Sequence, residues 1–227
     1  MPERQITASD LNRLIGTPDA PAIVDVCIDD DFAADPRLIP GAFRWPFTDI
    51  DALAPRLARR PTVVVCQKGL KLSQGAAACL RAAGVDATWL AGGMVGWAEA
   101  GLPAIRADAL PSDRIAAPDD PSLAETACLW LMVRFAAPAA RILMVERDQL
   151  AAVADRFGAD QTPDEPAALA ARMGLASPKL EATFAALSGV EAPGLAAVHT
   201  GAATMESKFM IFDALYANEE NLRRRPS

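Results

Sequence analysis

Val63-Val64-Val65-Cys66-Gln67-Lys68-Gly69-Leu70-Lys71-Leu72-Ser73 leads into an alanine-rich segment, residues 74–83. Three consecutive valines predict a strand covered on both faces, the mark of a parallel sheet. Cys66 ends that strand. Ser73 is a residue type that caps helices, which predicts a helix over 74–83. The loop between them then faces a helix N-terminus, where free N–H groups bind anions and favour a thiolate. Lys68 and Lys71 add positive charge, and Gly69 supplies a residue able to take positive φ. Cys66 is the expected reactive atom, with residues 67–73 (Gln67, Lys68, Gly69, Leu70, Lys71, Leu72 and Ser73) as its anion cradle. The competing reading is an inert buried cysteine acting as a small hydrophobe. The strand-end position and the cationic loop favour reactivity.

Outward from the loop, the bulk numbers restrict the partners. A chain of 227 residues is long enough for one large or two small domains with cores of their own. Net charge of −7 argues against nucleic acid or an anionic membrane as a partner. Two lysines on an acidic protein suit a small anion instead. Met1-Pro2-Glu3-Arg4-Gln5 has no apolar core, so no signal peptide is expected. Residues 128–145 are apolar but broken by Arg134, Pro138 and Arg141, which excludes a membrane span. Cys27, Cys66, Cys79 and Cys128 are widely spaced and show no metal-ligand pattern. No metal or cofactor is expected, and reduced cysteines suit the cytoplasm.

In chain order, Ile6-Thr7 is extended and Ser9 is the expected cap of a helix carrying Leu11, Leu14 and Ile15. Residues 22–26 read as a buried strand and 27–36 as an acidic loop. Residues 38–42 read as a turn, 50–58 as a weak helix ended by Arg59-Arg60-Pro61, 87–90 as a strand, and 94–100 as a short helix with Trp97 inward. Alternating strands and helices predict a parallel α/β domain over residues 1–106. Its ligands are expected beyond the carboxyl ends of the strands, where Cys66 falls.

Prolines and aspartates over residues 107–122 suggest a linker. Residues 123–227 read as a mainly helical domain: a helix over 123–135, a strand over 141–145, and Asp148 capping a helix that stops at Gly158. Pro163 opens the next, Ser177-Pro178 another that ends at Gly189, and Thr204 caps the last. Met205, Phe209, Phe212 and Leu215 form one stripe of that final helix, expected to be core. Arg223-Arg224-Arg225 is expected to be a solvated tail.

With Asp25-Val26, Ile39-Pro40-Gly41-Ala42, the Cys66 loop and Leu90-Ala91-Gly92-Gly93-Met94-Val95-Gly96-Trp97 in order, residues 6–103 resemble a rhodanese domain. The resemblance implies a sulfurtransferase that carries sulfane sulfur as a persulfide on Cys66, with a small anionic donor and a thiol or protein acceptor. The family loop commonly reads Cys-Arg-x-Gly-x-Arg. Here Gln67 and Lys71 replace its arginines, Cys27 stands where arginine often follows Asp-Val, and Leu38 where histidine often precedes Ile-Pro-Gly. Lysine lacks arginine's planar fork.

The segment Ala127-Cys128-Leu129-Trp130-Leu131-Met132-Val133-Arg134-Phe135, with Phe212-Asp213-Ala214-Leu215-Tyr216, resembles the C-terminal domain of the chromate-resistance ChrB family. The implied domain is a degenerate relative, since the chain's one histidine is His199. Two other functions stay open. A cysteine phosphatase or arsenate reductase needs an arginine six residues after the cysteine, where Leu72 stands. A sensor or adaptor for chromate or sulfur stress would keep the loop only to bind an anion.

Overall fold

The computed structural model describes residues 4–57, 60–187, 192–202 and 204–222. The chain forms two compact units, residues 1–15 with 19–108, and residues 16–18 with 109–227.

In the first unit the elements are β1 (Gln5–Ile6), α1 (Ala8–Leu14), β2 (Ala22–Asp25), α2 (Asp29–Ala34), β3 (Arg37–Leu38) and β4 (Ala42–Arg44), then α3 (Ile50–Leu57), β5 (Thr62–Val65), α4 (Lys71–Ala82), β6 (Ala87–Leu90), α5 (Gly93–Glu99) and β7 (Ile105–Arg106). Five strands make one parallel sheet in the order β1-β6-β5-β2-β4. Every residue of β2 and β5 is buried, as the valine run requires of central strands with both faces covered. One apolar cluster joins Val24, Val26 and Val64 to Leu53 and Leu57 of α3 and Ala76, Ala77 and Leu80 of α4. The small alanine face lets α4 lie close to the sheet. Trp97 is fully buried and donates from Nε1 to the Pro103 carbonyl at 2.8 Å.

Four local expectations change. Thr7, not Ser9, caps α1: its Oγ1 accepts from the Asp10 N–H at 3.1 Å. Thr7 is the last extended residue, so the helix starts two residues earlier. The acidic loop over 27–36 contains α2, whose first turn holds Asp29, Asp30 and Asp31; carboxylates are poor inside a helix but favourable at its positive end. The turn over 38–42 is flanked by β3 and β4, both too short to show a period. The fourth concerns α4 and Ser73, and belongs with the site.

The second unit carries β8 (Arg114–Pro118), α6 (Leu123–Leu131), β9 (Arg141–Val145), α7 (Leu150–Phe157), β10 (Asp160–Gln161), α8 (Pro166–Arg172), α9 (Pro178–Ala185), α10 (Ala192–Gly201) and α11 (Met205–Leu222). The expected linker is thus corrected in part. β8 is the buried middle strand of a parallel sheet ordered β10-β8-β9, so this mainly helical unit has a small sheet as well. Its proline falls at the last position, beyond the two residues that β10 pairs, so the missing N–H leaves no ladder bond unmade there.

The helix starts follow from named caps. Ser122 and Glu125 form a reciprocal capping box on α6. Ser177 caps α9 with Pro178 in its first turn, and Thr204 accepts from the Ser207 N–H at the head of α11, both as expected. Asp148 instead sits in a 3-10 turn and caps nothing, because α7 begins after Gln149. Pro166, not Pro163, opens α8. The helix read over 123–135 ends as α at Leu131 and widens to a π turn over Met132–Ala136. The expected stop at Gly189 and the arginine tail at 223–225 lie outside the described residues.

Packing in this unit is organised by α11 against α6 and α9. Phe209 and Phe212 of the expected stripe are buried, while Met205 and Leu215 are only half-buried. Trp130 is fully buried and its ring lies 5.3 Å from Phe135, 5.8 Å from Phe212 and 5.7 Å from Tyr216. Asp213 accepts from Trp130 Nε1 at 2.8 Å and from Arg134 Nη2 at 3.0 Å. Arg134 also reaches Glu206 at 2.6 Å. Asp213→Ala strands the indole N–H and removes the arginine's inner partner. With Glu206 left to Arg134, the expected loss of stability is about 2–3 kcal/mol, measured by urea unfolding.

His199 is buried with Nε2 at 2.7 Å from Thr126 Oγ1. The one hydroxyl hydrogen of Thr126 is given to the Ser122 carbonyl at 2.9 Å, so Nε2 must be the donor to Thr126. Burial, then the positive charge of Lys208, push the imidazole's pKa below its ordinary 6.5. A base whose folded value is depressed binds its proton more tightly when unfolded. Its contribution is therefore complete above about pH 6.5 and is lost as pH falls through the folded value. Thermal unfolding of wild type should show this fall below pH 6.5, and His199→Gln should remove it.

Candidate functional site

All strands of the five-stranded sheet run the same way, so the loops after β2, β5 and β6 emerge on one edge. These loops carry Cys27, Cys66 and Gly92-Gly93. The β5–α4 loop is locked against the β6–α5 turn by backbone alone. Gly69 has φ +67°, and a Cβ there would lie 2.4 Å from the Leu90 carbonyl oxygen and 2.7 Å from the Gly93 nitrogen. Gly93 has φ +58°, and its Cβ would meet the Cys66 carbonyl oxygen at 2.1 Å. With no side chains between them, the first N–H groups of α5 close onto the cysteine loop. Met94 N–H donates to the Cys66 carbonyl at 3.1 Å and Val95 N–H to the Gln67 carbonyl at 2.9 Å. Cys66 and its neighbour are thereby held from below by a second helix.

The sulfur itself sits deep, with Cys66 only 4% exposed. Its thiol donates to Ser73 Oγ at 3.2 Å, and that hydroxyl donates to the Leu70 carbonyl at 3.1 Å. This corrects the expected place of Ser73. α4 begins at Lys71 after Leu70, which makes no side-chain cap, so Ser73 lies within the first turn and is fully buried beside the sulfur. Its short hydroxyl turns inward because the sulfur and the Leu70 carbonyl both lie there. The N–H groups of Lys71, Leu72 and Ser73 belong to the turn that a helix leaves unpaired, and they have no acceptor among the described residues.

The remaining loop residues divide by exposure. Lys68 and Lys71 are exposed, and Leu70 is 57% exposed. Gln67 is half-buried and lines a cavity, while Leu72 packs on the apolar cluster that contains Cys66. The two lysines therefore lie on the outside of the loop, and Ser73 lies on its inside against the sulfur.

The carboxyl end of β2 adds residues that spacing along the chain does not single out. Asp25 is 1% exposed; its Oδ1 accepts from the Cys27 N–H at 2.7 Å, and its Oδ2 has no partner. Burial raises the Asp25 carboxyl above the ordinary range, against the lowering effect of the Cys27 contacts and Arg44. The Cys27 thiol is pushed up by burial, by the Asp25 charge and by the Cys66 sulfur. Arg44 Nη2 binds the Cys27 carbonyl at 3.0 Å and Asp29 at 2.8 Å, with its guanidinium 4.1 Å over the Phe32 ring. The legible signal was Asp25-Val26-Cys27 ending a strand beside Val65-Cys66. Among the described residues there is no cluster of three or more histidine, cysteine or acidic side chains able to hold a metal, and no helix long and apolar enough to cross a membrane.

Fold and site together define a parallel α/β domain with a buried cysteine at the end of a central strand. Residues 7–100 match the rhodanese-like domain family, and this part of the chain is a rhodanese-like domain. A rhodanese-related protein of Thermoplasma volcanium is 23% identical over 45% of this chain and 97% of its own, with a TM-score of 0.39. A rhodanese-like domain protein of Staphylococcus aureus is 30% identical over 41% of this chain and 90% of its own, with a TM-score of 0.37. Thiosulfate sulfurtransferase of Pseudomonas aeruginosa is 27% identical over 45% of this chain but 19% of its own, with a TM-score of 0.38. No curated protein matches the chain. The family match ends at residue 100 and lends nothing to the chromate-resistance resemblance of residues 123–227.

The glycine contact is the part of this site that tolerates least. Gly93→Ala must relieve both a positive φ and a 2.1 Å approach to backbone, neither of which a flexible side chain can absorb. The expected outcome is a loss of at least about 3 kcal/mol in urea unfolding, with faster alkylation of Cys66 as the loop comes away.

Proposed function

We propose that the rhodanese-like domain is a sulfurtransferase that carries sulfane sulfur on Cys66. One observation supports this above the others: the cysteine ends a central strand beneath unpaired first-turn N–H groups of α4, with the Ser73 hydroxyl on its sulfur. The Cys66 thiolate attacks the outer sulfur of a donor such as thiosulfate, the S–S bond breaks, and sulfite leaves with its electron pair. Cys66–S–S⁻ remains. When the thiol proton is lost to solvent, the Ser73 hydroxyl can turn from the Leu70 carbonyl to donate to the sulfur. The N–H groups of Lys71, Leu72 and Ser73 then hold the anionic outer sulfur, and Lys68 and Lys71 attract the donor. A thiol or a protein acceptor takes the sulfur in the second half-reaction. A deep nucleophile suits the narrow sulfur of such a donor better than a bulky phosphoester, and Leu72 offers no clamp for a phosphoryl or arsenate oxyanion.

A second reading is favoured by the burial of Cys66 and the exposure of both lysines: the loop binds an oxyanion as part of a chromate or sulfur-stress sensor, without turnover. In that reading residues 123–227 would act as the degenerate chromate-resistance domain. Their resemblance rests on Trp130, Arg134, Phe212 and Asp213, residues that support one another in the core.

Incubation with thiosulfate followed by intact mass measurement separates the two. Sulfur transfer adds about 32 Da at Cys66, and the gain disappears in Cys66→Ser together with turnover, which should fall by at least about 10³-fold. Stabilisation of the fold by sulfate or chromate, without any mass gain from sulfane donors, would sink the transferase in favour of the sensor.

A further inference from the structure

In the small sheet of the second unit, β9 is an edge strand: it pairs with β8 on one side and with no strand on the other among the described residues. Two hydrogen bonds fix which of its residues face which way. The Arg141 N–H donates to the Asp113 carbonyl at 2.8 Å, and the Val145 carbonyl accepts from the Asp119 N–H at 2.9 Å. Main-chain groups of successive strand residues point to alternate sides. Arg141, Leu143 and Val145 therefore turn theirs to β8, and Ile142 and Met144 turn theirs to the open edge. Neither the N–H nor the carbonyl of Ile142 or Met144 has a partner there among the described residues. No charge interrupts the strand between Arg141 and Glu146; Ile142, Leu143 and Val145 are half-buried, and Met144 is 40% exposed. An apolar edge without the charges or proline that usually blunt one is a template for another strand.

We propose that a second copy of this chain covers the edge, β9 against β9, antiparallel about a two-fold axis at Leu143. Ile142 of each copy then stands opposite Met144 of the other and exchanges both hydrogen bonds with it, so every open N–H and carbonyl of the two residues is satisfied. The neighbouring registers fail on this count. Slid one way, Met144 faces Ala140, whose N–H is already held by the Ala137 carbonyl at 3.0 Å. Slid the other way, Ile142 faces Glu146, whose carbonyl is held by the Gln149 N–H at 2.9 Å.

Charge selects a second copy and sets its direction. Arg141 and Glu146 are exposed at opposite ends of the strand. Antiparallel pairing brings the Arg141 end of one copy to the Glu146 end of the other, whereas parallel pairing sets arginine beside arginine and glutamate beside glutamate. Between the charges, Leu143 meets Leu143 and Ile142 meets Met144, so the contact is self-complementary and closes on itself. The joined sheet then ends on β10 at both sides. That strand has only Asp160 and Gln161, both exposed, and is too short and polar to recruit a third copy. The pairing is independent of the chemistry at Cys66.

Sedimentation equilibrium of the full chain between about 1 and 200 µM should show a reversible monomer–dimer equilibrium. Met144→Pro removes only an N–H that points to the open edge and leaves the ladder to β8 whole, so it should weaken association at least about tenfold while the circular dichroism spectrum is kept. Ile142→Lys puts a charge on the same edge and should weaken it as much. Met210→Lys, at a position 62% exposed on α11, should leave the dimer as it is. The two Leu143 residues face each other as a non-hydrogen-bonded pair with Cα atoms about 4.5 Å apart, within reach of a disulfide. Leu143→Cys in a Cys79→Ser background should therefore link two chains on mild oxidation, and Met144→Cys should not. A wild type that stays monomeric throughout overturns the proposal in favour of a strand from another protein. A dimer that survives both Met144→Pro and Ile142→Lys, or a Leu143→Cys variant that links no chains, overturns it as well.

Discussion

Two turns of backbone meet at van der Waals distance because Gly69 and Gly93 carry no side chains, and the geometry around Cys66 depends on that approach. A methyl group at either place would lie 2.1–2.8 Å from main-chain atoms. Because the turns meet, the N–H groups of Met94 and Val95 bind the carbonyls of Cys66 and Gln67. A neighbouring helix thus satisfies the acceptors of the cysteine loop. The two glycine-bearing segments are separate in sequence yet make one object.

The second unit is held by a different kind of contact. Asp213 is a buried carboxylate with the Trp130 indole and Arg134 as its donors, set within rings of Phe135, Phe212 and Tyr216. Such a centre is directional: its partners fix the rotation of α11 against α6, which an all-apolar seam would leave freer. Glu125 plays the same part at the start of α6, where it completes the capping box and binds Arg147 at 2.7 Å. The Arg147 hydrogen bond, then those to Ser122, hold the Glu125 carboxyl below the ordinary range despite its burial.

The sheet of the first unit was readable wherever a strand was buried on both faces. Val63-Val64-Val65 and Ala22-Ile23-Val24 could hardly be placed otherwise, and β6 and β9 fell on the expected residues. β8 was not readable, because Arg114-Ile115-Ala116-Ala117-Pro118 has a single large apolar residue and lies among prolines and aspartates; its burial comes from β9 and β10 on either side. Ser73 shows a subtler limit. Its type fitted a cap, but the helix gained a turn at Lys71, and contact with the sulfur is a tertiary fact that spacing along the chain does not contain. The place of Asp25 beside Val65 has the same origin: it follows from register between strands forty residues apart in number, once β2 and β5 are known to be neighbours.

Register at the far edge of the same sheet has a consequence for the nascent chain. Gln5 and Ile6 pair with Trp89 and Leu90, so the first strand to be made finds its place only beside the last of the five. Contacts so remote in the chain form late. The N–H groups that brace Cys66 come later still, from Met94 and Val95. On the ribosome, therefore, the sulfur is synthesised some thirty residues ahead of the backbone that shapes its surroundings, and the cysteine loop can take its final form only after that last helix has emerged from the exit tunnel.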